Sequence, residues 1–312
     1  AGVAFGIYKF AFSKQSASTA SFESMKITKL TDTGKAGQAA ISSDGKYVVH
    51  VKQDAGQQSL WVRHIATGSN VQIIPPADVL YGRMTFTPDG GYIYFGKQEK
   101  GEPNSSLHQV PVLGGESKKL NPHANSPVTF SPDGKRIAFV RNTPGESAMI
   151  LANADGTGEQ SLAILKRPES FKPSGPAWSP DGKVIASGGT AVDENGNYQR
   201  ILEIQVADGT IKPMASKWQD VGQIAWLADG SGLIMANYTQ GSNAAQIYQI
   251  SYPLGEARKV TNDLLSYHGV SMTADSDSIV VVQEDRVYNI WSAPDGDTSR
   301  PKQLTRGSGK YE

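Results

Sequence analysis

A short turn motif recurs six times along this chain at nearly even spacing. The clearest copies are FTPDGGYIYFG, FSPDGKRIAFV and WSPDGKVIASG, and weaker copies begin at Ile41, Trp226 and Met272. The central acids of the six motifs lie 44 to 48 residues apart and are Asp44, Asp89, Asp133, Asp181, Asp229 and Asp275. A repeat of about 40–50 residues with strand-like content is typical of the blades of a β-propeller.

Each repeat also predicts the four strands that a blade requires. A short strand such as VTF at Val128 enters the turn, and an apolar run such as RIAFV leaves it. An alternating strand such as RILEIQV at Arg200 follows, and an outer strand such as ARKVT at Ala257 ends the unit. No stretch shows helical periodicity. The sequence therefore predicts an all-β fold, a six-bladed β-propeller of four-stranded antiparallel blades.

The acids of the motif are expected to be structural turns. Proline fixes φ at the second turn position, the acid accepts local backbone hydrogen bonds, and glycine takes the left-handed position that follows. Every blade needs this corner between its two innermost strands, whereas a catalytic acid need not occur six times around a ring. We therefore assign no catalytic role to the six acids.

The repeated units resemble the WD-like repeats of TolB-type β-propellers over about residues 25–312. The segments MKITKLTDTGKAGQAAISSDGKYVVHV and GQQSLWVRHIATGSNVQIIPP are similar to the start of extracytoplasmic propellers that follow one membrane helix in bacterial sensor kinases and winged-helix regulators. The resemblance implies an extracytoplasmic location, periplasmic or extracellular. It transfers no catalytic residue.

The first 24 residues form a separate segment, with the propeller predicted over residues 25–312. AGVAFGIYKFAF is apolar apart from Lys9 and is followed by a Ser-rich linker. Twelve residues are too few to span a bilayer, which needs about 20. Three interpretations remain open: the end of a transmembrane helix, which the resemblance favours and which would anchor the chain to a membrane; the start of a processed, exported chain; or a docking strand.

Seven candidate outer strands compete for six blades. Both MKITKL at Met25 and PKQL at Pro301 fit the outer position of the last blade, so one of them is surplus. A surplus strand exposes unpaired backbone groups that can add to another molecule. The sequence therefore predicts self-association, as a homo-oligomer or filament, through the terminal strands or the N-terminal segment. The end RGSGKYE also resembles the lead-in to another strand, so the chain is a candidate fragment of a longer protein.

Composition and motif searches exclude several other classes of function. Thirty basic and thirty acidic residues cancel, which gives no electrostatic reason to bind nucleic acid. There is no cysteine, no Gly-x-Ser-x-Gly elbow, no P-loop and no His-x-x-x-His spacing. We therefore predict no catalytic residue, no metal and no cofactor.

The best candidate site lies at the channel mouth, where the loops lead into the innermost strands. Aromatic side chains around a concave mouth suit a protein, peptide or glycan ligand, although the same rings could instead pack between blades. The candidate residues are Tyr81, His123, Arg141, Phe171, Trp218, Asp220, Tyr267 and His268. The leading hypothesis is a non-enzymatic, extracytoplasmic binding or sensing module; the alternatives are a self-assembling structural subunit and a propeller-type hydrolase or lactonase.

Overall fold

The computed structural model shows a ring of β-sheets built from consecutive parts of the chain. It describes residues 26–121, 123–238, 244–284, 289–293 and 298–305. The predicted N-terminal segment, residues 1–24, therefore lies outside the described residues.

The first two blades are regular four-stranded antiparallel sheets in which sequence neighbours pair. The strands of blade one are β1 (Ala36–Ile41), β2 (Tyr47–Asp54), β3 (Gln57–His64) and β4 (Asn70–Ala77). Those of blade two are β5 (Val79–Phe86), β6 (Tyr92–Glu99), β7 (Ser106–Pro111) and β8 (Lys118–Asn121). The run from Val48 to Val51 in β2 is buried throughout, because neighbouring units cover both faces of a blade.

Blades three to five repeat this order, with one variation. Blade three contains β9 (Thr129–Phe130), β10 (Arg136–Asn142), β11 (Glu146–Asn153) and β12 (Gln160–Lys166). Blade four has a divided innermost strand and contains β13 (Ser170–Phe171), β14 (Ala177–Trp178), β15 (Val184–Asp193), β16 (Gly196–Gln205) and β17 (Ile211–Trp218). Blade five contains β18 (Ile224–Trp226), β19 (Gly232–Tyr238), β20 (Ala245–Ser251) and β21 (Ala257–Lys259).

The sixth unit differs from the expectation of a sixth blade. Its strands β22 (Ser266–Met272) and β23 (Ile279–Glu284) form one hairpin, while β24 (Trp291–Ser292) and β25 (Lys302–Gln303) form a separate two-stranded sheet. No pairing joins the two sheets within the described part of the chain. The all-β propeller of four-stranded antiparallel blades is thus correct, but the number six is wrong for this structure: it shows five blades. Strands β24 and β25 have two residues each and, in the described part of the chain, pair with each other and not with the hairpin.

Apolar clusters fill the spaces between consecutive units and hold the ring together. Met84, Ile93 and Phe95 of blade two pack against Val49 and Leu60 of blade one, for example. Equivalent clusters join blades two to three, three to four, four to five, and five to the sixth unit. Burying these side chains is the main favourable term in stacking one blade on the next.

The hairpin of the sixth unit closes the ring against blade one. Ile41 N donates to Ser271 Oγ at 3.0 Å, and Ala274 N donates to Ser43 O at 3.0 Å. The apolar cluster here is small, with Ile41, Val48 and Val280 as its buried members. The first and last parts of the described chain are therefore in direct contact.

The two competing outer strands have different structures. Lys302–Gln303 pairs with Trp291–Ser292, whereas residues 26–31 form no ladder. The MKITKL segment contributes Leu30 to the closing cluster instead, and Ile27 is exposed. Self-association through a surplus strand stays a prediction. The described residues contain no helix that is long and apolar enough to cross a membrane.

Candidate ligand-binding site

The repeated acids form tight turns at the end of the ring opposite the mouth. In blade three, Asp133 Oδ1 accepts bonds from Ser131 Oγ at 2.6 Å and from Lys135 N at 3.1 Å. Gly134 donates to Ser131 O at 2.8 Å and has a φ of 70°, which glycine adopts without strain. The Asp133 carboxylate thus accepts hydrogen bonds inside its own turn. The carboxylates of the other motif copies do the same: Asp44, Asp89, Asp181, Asp229 and Asp275.

Three of the predicted aromatic side chains lie inside the ring and not on its surface. Tyr81 packs edge-on against Phe95 between blades one and two. Phe171 belongs to the cluster between blades three and four, and Tyr267 to that between blade five and the sixth unit. Their exposed fractions are 6%, 1% and 2%. These rings serve as blade packing, which is the alternative that the sequence left open, and a role in binding stays untested.

Trp218 is more accessible than these three. It lies at the end of β17, is partly buried against the cluster between blades four and five, and meets Tyr248 edge-on with ring centroids 5.4 Å apart. Its Nε1 is buried without a hydrogen-bond partner. A buried donor in this state costs about 1–3 kcal/mol, so the indole N–H lowers the stability of the free protein.

His123 and Arg141 form a separate polar group on blade three. Arg141 Nε donates to the backbone oxygen of His123 at 3.0 Å, and its two terminal nitrogens contact Glu159 at 2.8 and 3.1 Å. The two-fold contact to a carboxylate occupies the part of the guanidinium that an anion would use.

The remaining predicted residues, Asp220 and His268, lie near the channel. Asp220 Oδ1 accepts a bond from Lys172 Nζ at 3.0 Å, which links the loop before β18 to the start of blade four. His268 Nε2 contacts Glu284 Oε2 at 2.8 Å, between β22 and β23. Asp220 is thus paired with a lysine, and His268 with a glutamate.

The contacts of His268 are not those of a catalytic triad. Ser266 Oγ lies 3.3 Å from the same nitrogen, Nε2, that contacts Glu284. A Ser–His–acid triad needs the serine and the acid on opposite ring nitrogens. Ser266 Oγ also accepts a bond from Ala245 N at 3.0 Å. This group therefore holds β22 beside β23 and β20, and its geometry does not support nucleophilic catalysis.

One contact spans the channel between opposite sides of the ring. Arg83 of β5 donates from Nη1 to Oε1 of Gln223, just before β18, at 2.9 Å. The two residues belong to blades two and five, with blades three and four between them on one side and the sixth unit and blade one on the other. Burial lowers the pKa of the Arg83 guanidinium from its usual value, and the charge of Asp220 opposes that shift. The channel is thus bridged near its mouth by a polar contact.

Sequence reasoning missed Arg83, Gln223 and Lys172, although a signal was present for the first two. A glycine followed by a larger residue leads into several innermost strands, as in Gly37-Gln38, Gly82-Arg83 and Gly222-Gln223. The pairing of β5 with β6 shifts register between Tyr81 and Met84, so Gly82 and Arg83 lie in a β-bulge. Bulges re-aim side chains, and a repeated Gly-x pair predicts residues that line the channel.

The described residues contain no group of three or more His, Asp or Glu side chains that could hold a metal ion. The structure therefore offers no metal site to test within that part of the chain, and the expectation of no metal and no cofactor stays an expectation.

Residues 126–311 match the TolB beta propeller domain, so the chain belongs to that family of β-propellers. Over 230 residues it is also 26% identical to an uncharacterized peptidase, YuxL, of Bacillus subtilis (strain 168). That match covers 72% of this chain and 32% of the relative, so the chain spans about a third of the length of that protein.

Solved structures agree on the fold. The structure of a putative TolB from Agrobacterium tumefaciens matches with a TM-score of 0.57 and 16% identity, over 72% of this chain and 80% of the other. An oligogalacturonate lyase in complex with manganese matches with a TM-score of 0.56 and 17% identity, over 88% and 78% of the two chains. At this level of identity the similarity shows the fold alone.

Proposed function

We propose that this chain is a non-enzymatic binding or sensing module that acts outside the cytoplasm and recognises a protein, peptide or glycan at its channel mouth. The observation that supports this proposal is the hydrogen bond between Arg83 and Gln223 across the channel, which is flanked by Lys172 and Asp220. Polar groups that converge in a concave site are the usual means of fixing a ligand's orientation.

Membership of the TolB family supports the proposed location. The resemblance of the first blade to extracytoplasmic sensor propellers points the same way, and nothing in the propeller itself requires a reducing compartment, since it has no cysteine. Cell fractionation of the organism that makes the protein, followed by immunodetection of the protein in each fraction, tests this part of the proposal. Recovery from the cytoplasmic fraction alone would contradict it.

The binding proposal is tested with peptide and glycan arrays. The probes are the arrayed compounds themselves, and the protein is the whole chain. Replacing both Lys172 and Asp220 with Ala removes the ion pair at the mouth without leaving an unpaired charge. We expect the affinity for any retained probe to fall about tenfold, which corresponds to about 1.4 kcal/mol. Replacing Lys118 and Glu116 with Ala, both exposed near the outer strand of blade two, serves as the matched control.

Unchanged affinity in the mouth double variant would contradict the proposal. Cleavage of the arrayed compounds would favour a second candidate, the propeller of a hydrolase, for which the identity to an uncharacterized peptidase is the specific observation. Mass spectrometry of the probes after incubation separates the two, because a binding module returns them intact.

A further inference from the structure

We propose that the ligand of this propeller is a peptide whose C-terminal carboxylate binds Arg83 in the channel, a specification that rests on the function proposed above. The guanidinium of Arg83 has five N–H donors, and the one hydrogen bond that it makes to the described residues goes to Gln223. It forms no salt bridge in the described part of the chain, in contrast to Arg141, Arg200 and Lys172. A partly buried cation that contacts no carboxylate is a ready receptor for one.

Gln223 is oriented to assist Arg83. Its Oε1 accepts bonds from Arg83 Nη1 at 2.9 Å and from Val270 N at 3.4 Å. Two donors on the same atom fix which end of the amide is oxygen, so the Nε2 group, with its two N–H donors, points elsewhere. No hydrogen bond among the described residues uses Nε2. Arg83 and Gln223 together therefore present several unused donors at one place.

The guanidinium of Arg83 has no carboxylate in direct contact in the described part of the chain. Asp220, the acid whose charge acts on Arg83, forms its own ion pair with Lys172 at 3.0 Å. A carboxylate and a guanidinium form paired, charge-assisted hydrogen bonds that are about twice as strong as neutral ones. Burial, which lowers the pKa of Arg83, also weakens competition from water for these donors.

The position of the bridge favours a chain end as the ligand. The Arg83–Gln223 bond joins blades two and five across the channel, so it lies in the path of a ligand that enters from the mouth. Gly269 adjoins the bridge: a Cβ there would lie 3.5 Å from Gln223 Oε1 and 3.6 Å from Arg83 Nη1, and its φ of 67° favours glycine. Arg83, His268 and Glu284 also lie in the wall of an open cleft of about 2020 Å³ between the sixth unit and blade one. A peptide terminus carries its carboxylate at the tip of a narrow chain, whereas a uronate carries it beside a sugar ring.

The test uses two pools of N-acetylated heptapeptides of random sequence, one with free C-terminal carboxylates and one amidated, and an oligogalacturonate mixture as a third probe. Retention by the whole chain is measured by equilibrium dialysis and mass spectrometry. We expect the free-acid pool to be enriched at least tenfold over the amidated pool. Arg83→Gln should abolish the preference for free-acid peptides. Arg83→Lys keeps the positive charge but loses the paired N–H donors of the guanidinium, so it should retain part of that preference.

A second variant keeps the experiment informative if Arg83→Gln folds poorly. Gln223→Glu places a carboxylate against Arg83, so it should preserve or raise the melting temperature and still remove the preference for free acids. The matched controls are Arg258→Gln and Gln249→Glu, because Arg258 Nη2 and Gln249 Oε1 form the same kind of pair at 2.8 Å on the exposed edge of blade five. Neither control should change retention.

The outcomes separate this inference from the proposed function. Equal retention of free-acid and amidated peptides would overturn the role of Arg83 and leave a peptide-binding module. Retention of oligogalacturonate alone would overturn the peptide terminus and leave a glycan-binding module. Retention of no probe would overturn both.

Discussion

Tyr94 of blade two donates its hydroxyl hydrogen bond to the backbone oxygen of Ala154 in blade three, at 2.8 Å. The ring of Tyr94 is buried and meets Phe130 edge-on, with centroids 5.0 Å apart. Burial raises the pKa of its hydroxyl to about 12, and the charge of Asp155 adds to the effect. The contact adds a directional bond to the otherwise apolar packing between the two blades.

We expect Tyr94→Phe to lower the free energy of unfolding by about 1–2 kcal/mol, because the Ala154 carbonyl loses its donor while the ring packing remains. Urea denaturation at pH 7 measures the change. Tyr92→Phe, on an exposed ring two residues away, is the control and should be neutral. Equal effects of the two substitutions would show that the hydroxyl bond is not what matters.

His108 predicts a pH dependence of stability. Burial, aided by the charges of Lys97 and Lys119, lowers its pKa to about 4, while its ring stacks on Phe95 at 5.7 Å. In the unfolded chain the pKa of histidine is about 6.5. Between these values the unfolded state binds a proton that the folded state does not, so stability is full above pH 6.5 and falls as the pH drops towards 4.

The expected loss between pH 7 and pH 5 is roughly 1–2 kcal/mol after allowing for partial exposure. His108→Gln should flatten this part of the pH profile. Titration of the imidazole by NMR checks the cause directly: a midpoint near 6.5 in the folded protein would refute it.

The turn acids are expected to affect stability and not binding. Hydrogen bonds from the Ser42 hydroxyl and the Lys46 backbone hold the pKa of Asp44 at about 2, below its usual 3.8. Asp44→Ala should therefore cost about 1 kcal/mol at pH 7, a difference that disappears as the pH falls through 2 and the carboxylate is protonated. Asp44→Asn, which keeps an acceptor oxygen, should cost less. A loss of ligand binding without a change in melting would contradict the assignment.

Trp218 offers a substitution that separates packing from recognition. Trp218→Phe keeps the edge-on contact with Tyr248 and removes the unsatisfied Nε1 donor, so the stability should change by less than about 1 kcal/mol. Trp218→Ala should cost about 3 kcal/mol. If Trp218 contacts a ligand, the Phe variant should weaken binding while melting as the wild type does. Unchanged affinity in both variants would confine Trp218 to packing.

The sequence predicted the parts of this fold that depend on local chemistry. The turn at Asp133 is determined by Ser131, Pro132 and Gly134, which lie beside it, and the blade spacing follows from the recurrence of that turn. The number of blades was harder to predict. The sequences of β22–β23 and β24–β25 have strand patterns, but those patterns do not determine whether the two pairs join in one sheet. Pairing between strands depends on the whole ring and not on local propensity.

The surroundings of the candidate residues were harder to predict, for a physical reason. Tyr81, Phe171 and Tyr267 were placed at the mouth by their loop positions, but an aromatic ring gains more from burial between blades than from exposure. Arg83 and Gln223 are 140 residues apart, so no spacing along the chain relates them. The predicted membrane anchor lies outside the described part of the chain, and nothing tests the predicted self-association, so both stay predictions.

The closure of the ring has a consequence for the rate at which this protein folds. The bond from Ile41 N to Ser271 Oγ joins residues 230 positions apart, and the apolar cluster beside it has three buried members. Contacts so distant in sequence form late, because the entropy of closing a long loop must be overcome before they become favourable. We expect blades one to five to stack early, and the last kinetic phase in refolding to be the docking of β22–β23 onto blade one. The same boundary should open first when denaturant is added.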